Sequence, residues 1–153
     1  MGLTVLSKEL VNTQDSFKNI ALAALNARLF FAISGDNLKR DGAIQYINIK
    51  RYFGRGENDY DILLTDILSE QHSKESKENE IDKYKGISFY PLLATNDAPS
   101  KLSYDFSLAY LRLCPEHLIS IYDCFFSLED IETLERNYGW YENWYQDFNK
   151  LDI

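Results

Sequence analysis

Residues 42–64 read GAIQYINIKRYFGRGENDYDILL, and the folding of this stretch decides the architecture. Ile44, Tyr46, Ile47, Ile49 and Phe53 fit a helix capped by Asp41 and ended by Gly54. The same residues also alternate, Ile44-Gln45-Tyr46 and Ile47-Asn48-Ile49, as a half-buried strand does. Gly54 to Asp59 would then be a hairpin loop leading into Tyr60 to Leu64. The helical reading is preferred here, so the expected fold class is all-α, a compact array of about five to seven helices. The alternative is an α+β domain with a hairpin near residues 44–64.

The neighbouring segments carry the same expectation. Upstream, Phe17, Ile20, Ala21, Ala24, Leu25, Leu29 and Ala32 recur at helical spacing. They predict a central helix from Asp15 to Ser34, capped by Asp15 or Ser16 and stopped by Gly35. Downstream, Ile62, Leu63, Ile67 and Leu68 predict a helix over 59–71, and residues 70–85 read as a polar, exposed segment. Gly86 opens an extended stretch over 87–93, in which Pro91 pushes Tyr90 out of the helical region. Helices are then predicted over 100–113, from Pro115 to Phe126 and from Ser127 to Tyr138, with a resumption after Gly139 through Phe148. Ser127-Leu128-Glu129-Asp130 is the clearest start signal, a capping box with Asp130 in place of the usual Glu.

The bulk numbers point to one globular domain over 1–153. The hydrophobic share is 45% and the mean hydropathy is −0.36, an ordinary balance for a folded chain. No basic region followed by an apolar run opens the sequence, so no signal peptide is expected. The apolar run from Ala21 to Ser34 is broken by Asn26 and Arg28, so no membrane partner is expected. Cys114 and Cys124 sit in apolar surroundings and read as reduced core residues of a cytoplasmic protein.

Charge is unevenly placed. The formal net charge is −8. From Pro115 onward there are nine acids against two bases, whereas Lys39 to Arg55 holds five bases against one acid. The acidic end repels phosphates, so no direct nucleic-acid partner is expected.

Several chemistries are weighed and set aside. Cys114, His117 and Cys124 lack the fourth nearby ligand that a closed zinc site needs, so no metal is expected. Asp36 to Gly42 resembles a calcium loop only loosely, because Lys39 takes a ligand position. Gly54-Arg55-Gly56 is not a phosphate-binding P-loop. The acids around Cys114 disfavour its thiolate. No catalytic residue and no cofactor are assigned, and the chain is not expected to be an enzyme.

The remaining constellation is the tail, with Tyr138, Trp140, Tyr141, Trp144, Tyr145 and Phe148 among acids. On one continuous helix Trp140, Trp144 and Phe148 form a row that packs inward, leaving Tyr141 and Tyr145 about 100° away and exposed. Exposed tyrosines among carboxylates suit an interface with a basic protein, the rings giving rigid area and the acids pairing and steering. The expected function is therefore a non-catalytic immunity or inhibitor protein that neutralises a basic toxin, a nuclease being the natural target. Glu129, Asp130, Glu132, Glu135, Tyr141, Glu142 and Tyr145 are the expected partner-binding residues. Two alternatives stand beside it: a small enzyme or regulatory domain binding an anionic group at Lys50 to Arg55, and a subunit of a larger assembly or a host-directed effector.

Overall fold

The computed structural model describes residues 2–33, 44–51, 62–77, 86–95 and 101–149. Within them the order is β1 (Leu3–Ser7), α1 (Thr13–Asn26), β2 (Phe30–Ile33), β3 (Ile44–Lys50), β4 (Ile62–Ile67), α2 (Glu70–Glu75), β5 (Tyr90–Thr95), α3 (Lys101–Leu113), β6 (Leu118–Ile121), β7 (Cys124–Phe126) and α4 (Leu128–Asn137). A 3-10 turn, Trp144–Asn149, follows. The all-α expectation is overturned: the strands form one seven-stranded sheet in the order β2-β3-β4-β5-β1-β6-β7, with every neighbouring pair antiparallel. The alternating reading of residues 44–49 is the one adopted, with Ile49 opposite Leu63 and Ile47 opposite Thr65. The connecting loop expected at Gly54 to Asp59 lies outside the described residues.

Register shows how the sheet is held. Ile67, Leu93, Val5, Ile119 and Phe126 are successive cross-strand partners and all are buried, forming one apolar row across five strands. This face packs against α1 through Ile20, Ala23 and Ala24, and against α3 through Leu102, Phe106, Tyr110 and Leu111. On the opposite face, Leu6, Phe89 and Leu118 form a second, smaller cluster with Ile87 and Phe125. β6 and β7 are thus apolar on both sides, which erases the alternation of a half-buried strand and leaves a continuous apolar run. That is why Pro115 to Phe126 reads as a helix and folds as a hairpin.

The helix boundaries move for local reasons. Asn12 caps α1, its Oδ1 accepting from the Asp15 backbone N–H at 2.8 Å, in place of the Asp15 or Ser16 expected. α1 stops eight residues before the predicted Ser34, because Arg28 enters the left-handed region at φ 60 and turns the chain into β2. The predicted stop, Gly35, lies outside the described residues. The segment expected as a helix over 59–71 divides into β4 and the short α2, which Ser69 caps. The boundary at α4 matches its sequence signal: Ser127 Oγ accepts from the Asp130 N–H, and Asp130 accepts from the Ser127 N–H at 2.9 Å. Among the described residues, no helix is long and apolar enough to cross a membrane.

Candidate acidic and aromatic interface

α4 lies on α3 and β7 through Ile131 and Leu134, with Leu128 also packed against the core, and Glu129 and 135–137 are exposed. Glu129, Glu132 and Glu135 follow at three-residue spacing, which groups them along one side of the helix. Their environments differ. Glu129 is exposed. Glu132 pairs with Arg112 of α3 at 3.0 Å, both side chains being about half exposed. Glu135 accepts a hydrogen bond from the Tyr104 hydroxyl. Burial first, and then this bond to a carboxylate, hold the Tyr104 phenol well above its ordinary pKa, so it remains a proton donor. Asp130 is engaged in the capping box. Three of the expected contact acids therefore also hold the fold together.

The aromatic tail departs further from the expectation. Gly139, at φ 70, and Asn143, at φ 61, interrupt the helix that the sequence suggests, and the chain continues as a 3-10 turn. Trp144, Tyr145 and Phe148 are buried there. Phe148 stacks on Phe126 with centroids 4.5 Å apart, and Trp144 meets Phe126 and Tyr104 edge-on at 5.3 and 5.0 Å. Tyr145 is thus a core residue and not the exposed anchor expected. Tyr141 is half-buried against the core. The exposed rings are others: Tyr138 is 78% exposed, Trp140 41% and Tyr122 47%. Trp140, expected in the inward row, lies outside it. Tyr138 and Tyr141 meet edge-on at 6.4 Å, and Tyr122 leans on Tyr145 at 5.7 Å, so the exposed rings border the buried ones. Glu142 and Asp123 are exposed beside them.

Sequence reasoning thus misses Tyr122, Tyr138 and Trp140. Usable signals exist for two of them. A glycine directly after Tyr138 marks it as a helix end, and a two-residue gap between apolar runs places Tyr122-Asp123 at a turn.

The other candidate chemistries find these positions. Tyr110 and His117 form a buried pair, with Tyr110 Oη 2.9 Å from His117 Nδ1. Burial holds His117 below the ordinary imidazole range and pushes the Cys114 thiol up, so neither is prepared as a charged nucleophile or acid. Cys114 and Cys124 are both buried and unbridged. Among the described residues, no group of three or more His, Cys, Asp or Glu side chains is arranged to hold a metal ion. The calcium-like stretch Asp36 to Gly42 lies outside the described residues, and of the five bases from Lys39 to Arg55 only Lys50 and Arg51 have described side chains. Arg51 pairs with Asp105 at 2.7 Å, and Lys101 reaches the same carboxylate at 3.2 Å. Asp105 and Arg112 line an open cleft of about 470 Å³ between α3 and the end of α1, together with the apolar Ala27, Leu108, Ala109 and Leu113.

Compared with known proteins, the chain matches no family profile, no curated protein and no solved structure.

Proposed function

We propose that the chain is a non-catalytic binding protein whose acidic and aromatic side, formed by α4 and the segment after it, covers a basic protein partner. In its specific form the proposal is a cytoplasmic immunity or inhibitor protein acting on a basic toxin, a nuclease above all. The observation that carries it is the exposure of Tyr138 and Trp140 on a segment that also carries the exposed acids Glu135 and Glu142. Large rings left mostly in water outside a core that already takes Trp144, Tyr145 and Phe148 offer contact area to a partner. Carboxylates beside them accelerate encounter with a positive surface and select against negative ones. A nuclease needs a positive site to hold phosphates, so its active surface is the natural complement. Two buried, unbridged thiols agree with a reducing compartment. The contact set is accordingly Glu129, Glu132, Glu135 and Glu142 with Tyr138, Trp140 and Tyr122, while Asp130 and Tyr145 support it from within.

The test is titration calorimetry against a panel of basic nuclease domains, including one encoded beside this chain, at low and high salt. A complex that weakens with salt and with Tyr138→Ala is expected. Failure of every basic domain to bind at low salt removes the proposal.

A second reading, a domain that binds a small anionic ligand, is favoured by the cleft between α1 and α3, which Arg112 lines beside apolar residues. Melting-point shifts with a series of phosphates and amphiphilic carboxylates test it. A shift abolished by Arg112→Gln supports it, and no shift across the series removes it.

A further inference from the structure

The β6–β7 connection is a two-residue turn, with Ile121 paired to Cys124 across it. Both central residues have positive φ, 47 for Tyr122 and 68 for Asp123, which makes it the I′ class of hairpin turn. That class favours Asn or Asp followed by Gly, because a Cβ collides with the backbone in the left-handed region. Asp tolerates the conformation; a tyrosine at the first position is a poor choice for the turn itself. Nor does Tyr122 repay the strain by filling the core. It is 47% exposed, and its ring meets that of Tyr145 at a tilt, with centroids 5.7 Å apart. Backbone strain of this kind gathers where a side chain is aimed outward for a purpose. Asn143 and Gly139, also left-handed, lie on the segment that carries the exposed Tyr138 and Trp140.

We propose that the Tyr122-Asp123 tip receives an arginine of the partner, the guanidinium lying on the open side of the Tyr122 ring and pairing with the Asp123 carboxylate. This rests on the reading of the acidic side as a surface for a basic protein and names the contact at its tip. An aromatic ring attracts a cation over its face, and a planar guanidinium does so while its N–H groups remain free in plane for a carboxylate. Asp123, next in the chain and exposed, is the carboxylate to hand. An ammonium satisfies the charge but neither the stacking nor the fork geometry, so arginine is preferred over lysine.

The experiment is a titration of the whole chain with an octaarginine peptide and with an octalysine peptide at low salt, followed by amide and aromatic-ring NMR shifts. The expected result is a shift of the Tyr122 ring and of the amides of residues 121–124, larger with arginine than with lysine. Tyr122→Asn should weaken this binding about tenfold, the size of a partly desolvated cation–π contact. The same variant should raise the melting midpoint by about 2–4 °C, because the turn is relieved. Tyr122→Phe keeps the ring and should keep the binding. Shifts confined to α4 and Glu142, or equal shifts for both peptides at the tip, overturn the arginine contact and leave the acidic surface standing. Absence of binding by either peptide anywhere overturns both.

Discussion

The two halves of the aromatic tail have nearly the same composition and opposite fates. Trp144, Tyr145 and Phe148 are interior, whereas Tyr138 and Trp140, a few residues earlier, face water. Hydrophobicity does not separate them. Backbone geometry does: α4 ends with Tyr138 as its C-cap, Gly139 turns the chain, and a second turn at Asn143 delivers the later residues onto β7 and α3. The inner half holds the 3-10 turn onto the sheet, and the outer half stays in water. Burial therefore has to be argued from where a helix stops as well as from which residues it contains.

The largest effect expected from this contrast is in the inner half. Trp144→Ala should lower unfolding free energy by about 3–5 kcal/mol, the range for deleting a large core aromatic. Urea titration read by circular dichroism checks it, and a loss below about 1 kcal/mol would mean that the 3-10 turn is not part of the cooperative core. The junction between core and surface comes next. Ser127→Ala removes one half of the capping box at α4 and should cost about 1 kcal/mol. Asp130→Ala should cost a similar amount, and the double variant less than the sum, since the two groups serve one motif.

A smaller effect tests the sealed interior under β6. Burial lowers the pKa of folded His117, so as pH falls the unfolded chain takes up that proton first. The contribution is whole above the unfolded imidazole value of about 6.5 and is lost as pH falls from there toward the lower folded value. Unfolding measured at neutral and mildly acidic pH should show this decline, and His117→Gln should flatten it. An unchanged slope in the variant would assign the acid sensitivity to other groups. The smallest stability effect belongs to the outer half: Tyr138→Ala should leave unfolding within about 0.5 kcal/mol of the parent chain. A cost above 1 kcal/mol would show that this ring serves the fold, and the contrast between the two halves would fail.

The sequence was most legible where a short-range signal is complete. The α4 start at Ser127 could be read because a capping box is local chemistry. α3 could be read because its inner positions recur at helical spacing. The sheet was hidden for two physical reasons. β6 and β7 are apolar on both faces and lose their period-two signature, and α1 hands over to β2 at Arg28, an arginine in a conformation usually given to glycine. At the candidate interface the charge distribution was legible and the choice of rings was not. Placing Trp140, Trp144 and Phe148 in one row assumes an unbroken α-helix. The turn at Asn143 and the tighter 3-10 winding, which puts Tyr145 over Phe148, move Tyr145 inward and leave Trp140 outside.

The seating of β1 between β5 and β6 has a consequence for assembly. Among the described residues, β1 is the strand that joins the ladder of the four strands on one side of it to the β6–β7 hairpin on the other. Its Leu3 N–H bonds Thr95 Oγ1, a partner 92 residues away, and its other neighbour is synthesised later still. During translation β1 therefore waits for its sheet partners until β5, and then β6, has emerged. Such non-local closure slows folding and exposes the waiting segment to mispairing. Removing or circularly relocating β1 should disconnect the hairpin that carries Tyr122 while the β2–β5 half retains its own ladder.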